Sequence, residues 1–231
     1  MTKTYSCIAI ALILSIPSLI SCSSKSHDKH RDDDERTEEA DYSDFKFDKI
    51  GFFETYNNYD VINDIKSLPD FSAIDALVKW SEILSPEIAR VNVADTATVG
   101  RLLRSDSSRK ILPRDLSFAW TMNPSQNSDS GEYGLIMLKG KSFMGSDDII
   151  NAEADSGDFG PEILVIVNNK ASELWYEITR KNIGKNIAIT LDDSVISYPC
   201  VTQPIQNGRI SITGLTTLDE ARAIARKLMT H

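Results

Sequence analysis

The sequence predicts an α+β fold with a mainly antiparallel sheet and helices packed on one face of it. The prediction rests on the last quarter of the chain, where a helix, a hairpin, a third strand and a second helix follow one another. Leu174, Trp175 and Ile178 share one face of the first helix, and Gly184 stands where a C-terminal cap belongs. This order of elements is that of an α+β unit.

The hairpin of this unit is indicated by apolar residues that recur at every second position. Residues 187–191 alternate in this way, which is the period of a half-buried strand. Asp192-Asp193 then forms a two-residue connection to residues 195–201. A type I′ turn needs positive φ at both central residues, which Asp tolerates less well than Gly, so a looser turn is expected here.

The third strand and the closing helix follow a clear turn signal. Asn207-Gly208 turns the chain into residues 209–213, which alternate as a strand. Thr217 and Glu220 form a capping box, in which the hydroxyl and the carboxylate satisfy free backbone N–H groups at the helix start. The apolar stripe of this helix consists of Leu218, Ala221, Ala225 and Leu228.

Further elements are expected on the N-terminal side of this unit. A helix is predicted over residues 72–84 and is ended by Pro86, and Asp95 caps a second helix. Strands are predicted at residues 116–120, 133–138 and 163–167, a short helix at 146–148, and loops at 123–131 and 155–161.

The C-terminal unit resembles a known family. The resemblance is carried by Glu177-Ile178-Thr179, Asn182-Ile183-Gly184-Lys185, Ile187 to Asp192, Val195-Ile196-Ser197, Pro199, Pro204-Ile205, Gly208, Ile212-Thr213-Gly214 and Glu220-Ala221. These residues are similar to the head subdomain of the first periplasmic domain of SecD, the protein-export membrane protein (SecDF when fused). Weaker similarity extends back to Pro86. The resemblance implies contact with translocating polypeptide, and it implies no cofactor.

The first residues have the form of a bacterial lipoprotein signal. An apolar run over residues 8–20 is too short for a membrane span and fits a signal sequence. It ends in Leu19-Ile20-Ser21-Cys22, which resembles the lipobox, where cleavage before the Cys is followed by its acylation with fatty acids such as palmitate. We expect residues 1–21 to be the signal peptide and Cys22 to anchor the protein in a bilayer. An uncleaved anchor and an ordinary secretory signal are the alternatives.

Composition divides the remainder into a tether and a folded part. Residues 22–49 are acidic and lack apolar periodicity, so a flexible tether is expected there. Residues 50–85 are expected to be a helical lead-in, and residues 86–231 the SecD-head-like α+β domain. The formal net charge of −9 argues against binding to nucleic acid.

No pattern of catalytic or metal-binding residues is present. The three histidines, His27, His30 and His231, lie outside the expected fold, which argues against a histidine-dependent hydrolase and against a zinc site. Asp155 and Asp158 flank Gly157 without the spacing of a calcium loop. We therefore expect no enzymatic activity, no metal and no cofactor. A carboxylate-based enzyme is a distant alternative.

The leading interpretation is a lipid-anchored, non-enzymatic binding module of the bacterial envelope, facing the periplasm. Its expected partners are the bilayer, through acylated Cys22, and unfolded polypeptide or other export or envelope proteins. The alternative is an envelope adaptor or structural lipoprotein that keeps the fold without binding polypeptide. The sequence leaves open whether the inner or the outer membrane holds the anchor.

A contact site is suggested by two prolines. Pro199 and Pro204 lie in and just after the strand at residues 195–201, and proline is usually confined to sheet edges because it lacks an N–H. This strand is expected to run to a sheet edge, with its pairing interrupted beyond Tyr198, and to accept an extended polypeptide there, with contacts from Val195, Ser197, Pro199 and Val201. The other interpretation is that the prolines only protect the edge against aggregation.

Overall fold

The computed structural model describes residues 49–124, 131–158 and 160–230. The strands are β1 (Ile50–Thr55), β2 (Val78–Trp80), β3 (Glu87–Asn92), β4 (Leu116–Thr121), β5 (Glu132–Gly145), β6 (Ile149–Gly157), β7 (Gly160–Val167), β8 (Ile187–Leu191), β9 (Ser194–Ser197) and β10 (Arg209–Ile212). The helices are α1 (Asn58–Lys66), α2 (Phe71–Asp75), α3 (Thr96–Leu103), α4 (Asp106–Ile111), α5 (Asn169–Lys181) and α6 (Leu218–Leu228), and a 3₁₀ helix covers Ser146–Asp148. This architecture confirms the predicted α+β class.

The larger sheet has seven strands in the order β1-β8-β9-β4-β5-β3-β2. All of its pairings are antiparallel except β4 with β9. The C-terminal half of β5 also pairs with β1, which closes β1, β8, β9, β4 and β5 into a ring. Inside the ring lie Ala119, Ile136, Leu138, Ala188 and Val195, with Phe53 and Tyr198 against them.

The smaller sheet has three antiparallel strands in the order β10-β7-β6. Its inner face shares the main hydrophobic core with α5, α6, β1 and β8, a core whose largest buried side chain is Trp175. The Trp175 ring meets Phe52 edge to face at 5.9 Å and stacks on Phe143 at 6.2 Å between centroids. Through these contacts α5 packs against β1 and against the end of β5.

A second core lies under α1, α2 and α3, with Leu112 at the end of α4. Ile65, Ile74, Val99 and Leu103 of these helices pack against Ile88 and Val91 of β3 and Leu135 and Met137 of β5. The burial of this set shows why the segment between residues 58 and 112 folds onto the larger sheet, since each helix is too short to be stable alone.

The structure corrects several expectations about local elements. The helix predicted over residues 72–84 is wrong: α2 ends at Asp75 and β2 follows at Val78–Trp80. The loop predicted over residues 155–161 is also wrong, because β6 and β7 continue through Ser156, which pairs with Pro161. The strand predicted at residues 133–138 is confirmed but is much longer.

The caps and turns of the C-terminal unit follow the sequence closely. Gly184 has φ of 78°, and Asn207 and Gly208 have φ of 79° and 61°, so both positions use the left-handed conformation that their sequence predicts. In the β8–β9 hairpin only Asp192 has positive φ, at 50°, so the turn is not of type I′. The pairing of β8 with β9 also shifts register between Ile189 and Thr190, just before the turn.

The capping box of α6 is present in altered form. The Thr217 hydroxyl accepts a hydrogen bond from the Glu220 N–H at 3.1 Å, as predicted. The Glu220 carboxylate reaches past the cap residue and accepts from the Thr216 N–H at 2.7 Å and from Asn123 Nδ2 at 3.1 Å. Glu220 is buried, so this carboxylate also ties the end of β4 to the start of α6.

Candidate functional site

The β8–β9 hairpin holds the four residues predicted to contact polypeptide. β9 pairs antiparallel with β8 on one side, with Thr190 opposite Val195 and Leu191 opposite Ser194. On the other side β9 runs parallel to β4, with Trp120 opposite Ser194 and Thr121 opposite Val195. The predicted edge position is therefore wrong for the start of this strand, because β9 lies between two partners.

The side chains of the predicted contact residues are mostly inside the protein. Val195, Ser197 and Val201 are 2%, 8% and 1% exposed, and Pro199 is half-buried. Val195 belongs to the cluster inside the ring, and Val201 belongs to the core under α5 and α6. Of the four residues, only Pro199 has a partly accessible side chain.

The backbone beyond Ser197 remains paired on its β8 side. The Ile187 N–H donates to the Pro199 carbonyl at 3.1 Å, and the Val201 N–H donates to the Lys185 carbonyl at 2.8 Å. The Gly184 N–H donates in turn to the Val201 carbonyl at 2.7 Å. Pro199 fits because it supplies the ladder with an acceptor and needs no donor, so the proline does not mark an interruption on this side.

A polar group links β9 to β3 beside the ring interior. The Tyr198 hydroxyl donates to Glu87 Oε2 at 2.7 Å, and Arg90 Nε donates to Glu87 Oε1 at 2.9 Å. Burial, followed by the nearby Glu87 carboxylate, raises the pKa of Tyr198 far above its ordinary value. Tyr198 is thus a neutral hydrogen-bond donor at physiological pH, and its role here is to fix β9 against β3.

A shallow groove lies where the described chain begins. It has a volume of about 460 Å³ and is lined by Lys49, Ile50 and residues 142–148. The Asp148 carboxylate is occupied by the Gly145 N–H at 3.0 Å, and the Ser142 hydroxyl bonds the backbone of Phe52 and Met144. These hydrogen bonds stabilise the end of β5.

Two further observations bear on the class of site. Within residues 49–124, 131–158 and 160–230, no three His, Cys, Asp or Glu side chains come together as a metal site would require. No helix in this part of the chain has the length and apolar character needed to cross a bilayer. Cys22, the predicted lipidation site, lies outside the described residues.

The free backbone edges of the described strands lie elsewhere than predicted. β2 borders the larger sheet, and β6 and β10 border the smaller one. β2 has only three residues and carries Lys79, whose ammonium pairs with Glu132, so it has the short, charged form of a protected edge. The sequence patterns did not predict β6, the longest of the three: they predicted a loop over its last residues, 155–157, and no element over residues 149–154.

Comparison with known proteins shows what the C-terminal half is similar to. Residues 121–230 match the family model described as SecDF, P1 head subdomain. The protein translocase subunit SecD of Rhodothermus marinus is 34% identical over 137 residues, which are 58% of this chain and 22% of that protein. The subunit SecDF of Thermus thermophilus is 34% identical over 106 residues, which are 45% of this chain and 14% of that protein.

Solved structures of SecDF are also similar at low identity. SecDF in its super-membrane-facing form is 21% identical, with a TM-score of 0.38, and the match covers 78% of this chain and 28% of that chain. The sequence comparisons confirm the resemblance to the SecD head in the C-terminal half. The chain spans only a small part of these relatives: 22% of the SecD of Rhodothermus marinus and 14% of the SecDF of Thermus thermophilus.

Proposed function

We propose that this chain is a lipid-anchored, non-enzymatic module of the bacterial envelope that binds unfolded or translocating polypeptide as an accessory of protein export. The observation that carries the proposal is the match of residues 121–230 to the SecDF P1 head subdomain, together with relatives that are protein translocase subunits. The chain therefore carries a SecD-head-like domain related to protein export. Polypeptide binding and the anchor are the new elements of the proposal.

The binding function is supported by the head-like domain that this chain shares with SecD. The relatives are several times longer than the region matched here, so the activity of a whole translocase subunit does not transfer to this chain. A head-like domain held at a membrane could still bind an emerging polypeptide and limit its backward movement. Such a role needs sequence-tolerant contacts, which backbone hydrogen bonds provide.

The test of this function compares unfolded and folded ligands. The full chain, solubilised in detergent, should bind a reduced and alkylated, permanently unfolded polypeptide and should not bind the same polypeptide in its native, disulfide-bonded form. Fluorescence anisotropy of the labelled polypeptide measures both. Equal affinity for the two forms, or affinity for neither, would contradict the proposal.

An envelope adaptor without polypeptide binding is the second candidate. The observation that favours it is the burial of Val195, Ser197 and Val201, which removes the side chains first expected to contact a ligand. An adaptor would fail the unfolded-polypeptide test and would instead bind one folded envelope protein at a fixed stoichiometry. The same anisotropy experiment therefore separates the two candidates.

The anchor is proposed at Cys22, which follows Leu19-Ile20-Ser21. Acyl chains on one residue hold a protein on a bilayer because each buried CH₂ contributes about 0.8 kcal/mol. Cys22→Ala should leave the chain unprocessed or move it out of the membrane fraction, whereas Cys7→Ala, within the proposed signal peptide, should change neither mass nor fractionation of the mature protein. A Cys22→Ala protein with wild-type mass and fractionation would remove the anchor from the proposal.

A further inference from the structure

The outer edge of β6 has no strand beside it in the part of the chain that the structure describes. Two independent observations show which of its backbone groups face outward. The Val167 N–H donates to the Gly208 carbonyl, so the backbone N–H and C=O groups of Val167 and of every second residue before it in β7 point towards β10. The backbone groups of the remaining residues of β7 point towards β6. Ala152, Ala154 and Ser156 of β6 lie opposite β10-facing residues of β7. Their backbone N–H and C=O groups therefore point away from the sheet.

The second observation is that two of these outward N–H groups are capped by the side chain just before them. The Ala152 N–H donates to Asn151 Oδ1 at 3.0 Å, and the Ser156 N–H donates to Asp155 Oδ1 at 2.7 Å. Such local caps keep a free edge from pairing indiscriminately. Between them, the Ala154 N–H has neither a capping side chain nor a strand partner among the described residues.

The two faces of this edge differ in size and charge. On the inner face, Ala152 and Ala154 are small and pack with the core of the smaller sheet. On the outer face, Glu153 and Asp155 are exposed, and Glu162 stands opposite Asp155 on β7. A strand added here would place alternate side chains beside the alanines and beside the carboxylates.

We propose that the outer edge of β6 binds an extended polypeptide segment that alternates apolar and basic residues. Backbone hydrogen bonds would begin at the open Ala154 amide, and the Asn151 and Asp155 caps would swing aside as the added strand lengthens. Apolar side chains would lie beside Ala152 and Ala154, and basic side chains would face Glu153 and Asp155. This inference rests on the proposed function and names the class of polypeptide and the place where it binds.

Ala154→Pro gives the most direct test. Because the Ala154 N–H points outward, proline removes the donor needed by an added strand without removing a bond to β7. The probe is a labelled peptide of about ten residues that alternates valine and lysine, enough to span β6 at about 3.3 Å per residue. We expect the full chain to bind it, and Ala154→Pro to weaken binding about tenfold, the upper range for one lost hydrogen bond, with unchanged thermal midpoint.

A charge variant provides a second measurement in case the proline disturbs folding. Asp155→Lys should weaken binding of the valine–lysine peptide and favour a valine–glutamate peptide of the same length. Glu82→Lys is the control, because it changes the net charge by the same amount on an exposed loop between β2 and β3. It should leave the affinities for the valine–lysine and the valine–glutamate peptide nearly unchanged, since solvent ions screen charges at that distance. Hydrogen exchange should show added protection at Ala154 and Ser156 when the peptide is bound.

The outcomes separate the inference from the function on which it rests. Binding of both the unfolded polypeptide and the peptide, sensitive to Ala154→Pro or Asp155→Lys, supports the β6 site. Binding of the unfolded polypeptide that is insensitive to both changes, without protection in β6, overturns the site and leaves the proposed function standing. Absence of binding to either ligand overturns both.

Discussion

The Tyr56 side chain contacts residues of two distant segments of the chain. Its hydroxyl donates to Asp115 Oδ1 at 2.8 Å, and the Lys139 ammonium lies 5.5 Å from its ring centroid. Burial, and then the hydrogen bond and charge of Asp115, raise the pKa of Tyr56 to about 12. Since the folded state disfavours the phenolate, the contribution of Tyr56 to stability is full below pH 10 or so and is lost as the pH rises towards 12.

We expect the difference in phenolate absorbance between the wild type and Tyr56→Phe to titrate near pH 12. Asp115→Asn should lower this midpoint, because it removes the carboxylate whose hydrogen bond and charge oppose ionisation. Asp75→Asn, which changes a carboxylate bonded to Trp80, is a matched control and should leave the midpoint unchanged. A Tyr56 midpoint near its ordinary value in the wild type would contradict the Asp115 contact.

The packing of α5 is centred on one residue. Trp175 is 1% exposed, and its contacts with Phe52 and Phe143 join α5 to β1 and β5. Trp175→Ala should reduce the free energy of unfolding by about 3–5 kcal/mol, because it leaves a large cavity. Trp175→Phe should cost less, since Trp175 Nε1 has no hydrogen-bond partner in the described structure and its removal leaves no polar group unsatisfied.

Leu174→Ala is the control for this measurement, because Leu174 neighbours Trp175 on the same helix but is 37% exposed. Urea unfolding followed by circular dichroism gives all three values. We expect Leu174→Ala to cost clearly less than Trp175→Ala. Equal losses from the two alanine variants would mean that helix propensity or fraying, and not the aromatic contact, holds α5 in place.

The elements that the sequence predicts well have strong local signals. α5, β8 and α6 combine one regular period with a cap or turn residue, such as Gly184 or Thr217, that stops or starts them. β1 lacks such a signal because Phe52 faces the main core while Phe53 faces the ring interior, so no polar side alternates with an apolar one. β6 contains Asn, Asp and Gly, residues of low strand propensity, and it forms because β7 pairs with it along its length.

The candidate site was harder to predict than the fold for a related reason. Pro199 correctly indicates a position that donates no ladder hydrogen bond, but a proline cannot show whether another strand covers its nitrogen side. The parallel pairing of β4 with β9 joins segments about 75 residues apart in the chain, a contact that no local pattern encodes. Likewise, the open edge of β6 follows from the strand order of the smaller sheet.

At the scale of the whole molecule, β1 connects the beginning of the described chain to its C-terminal half. It pairs with β8 from Ile50 to Glu54 and with β5 at both of its ends. Just before it, the Asp192 N–H donates to the Lys49 carbonyl at 2.7 Å, and the Lys49 N–H donates to Asp192 Oδ1 at 3.0 Å. Although residues 121–230 match the head subdomain, this strand is supplied by a segment before residue 121.

Two shortened chains therefore should behave very differently. A chain that begins at Lys49 keeps every β1 contact and should retain the thermal midpoint of the full chain. A chain that begins at Asn57 loses β1, opens the ring between β8 and β5, and exposes the core at the place of Phe52, so it should unfold or aggregate. Differential scanning calorimetry of the two chains measures this directly. If the chain that begins at Asn57 unfolds cooperatively at the midpoint of the full chain, the head folds without β1. If the chain that begins at Lys49 has a lowered midpoint, residues before Lys49 stabilise the fold.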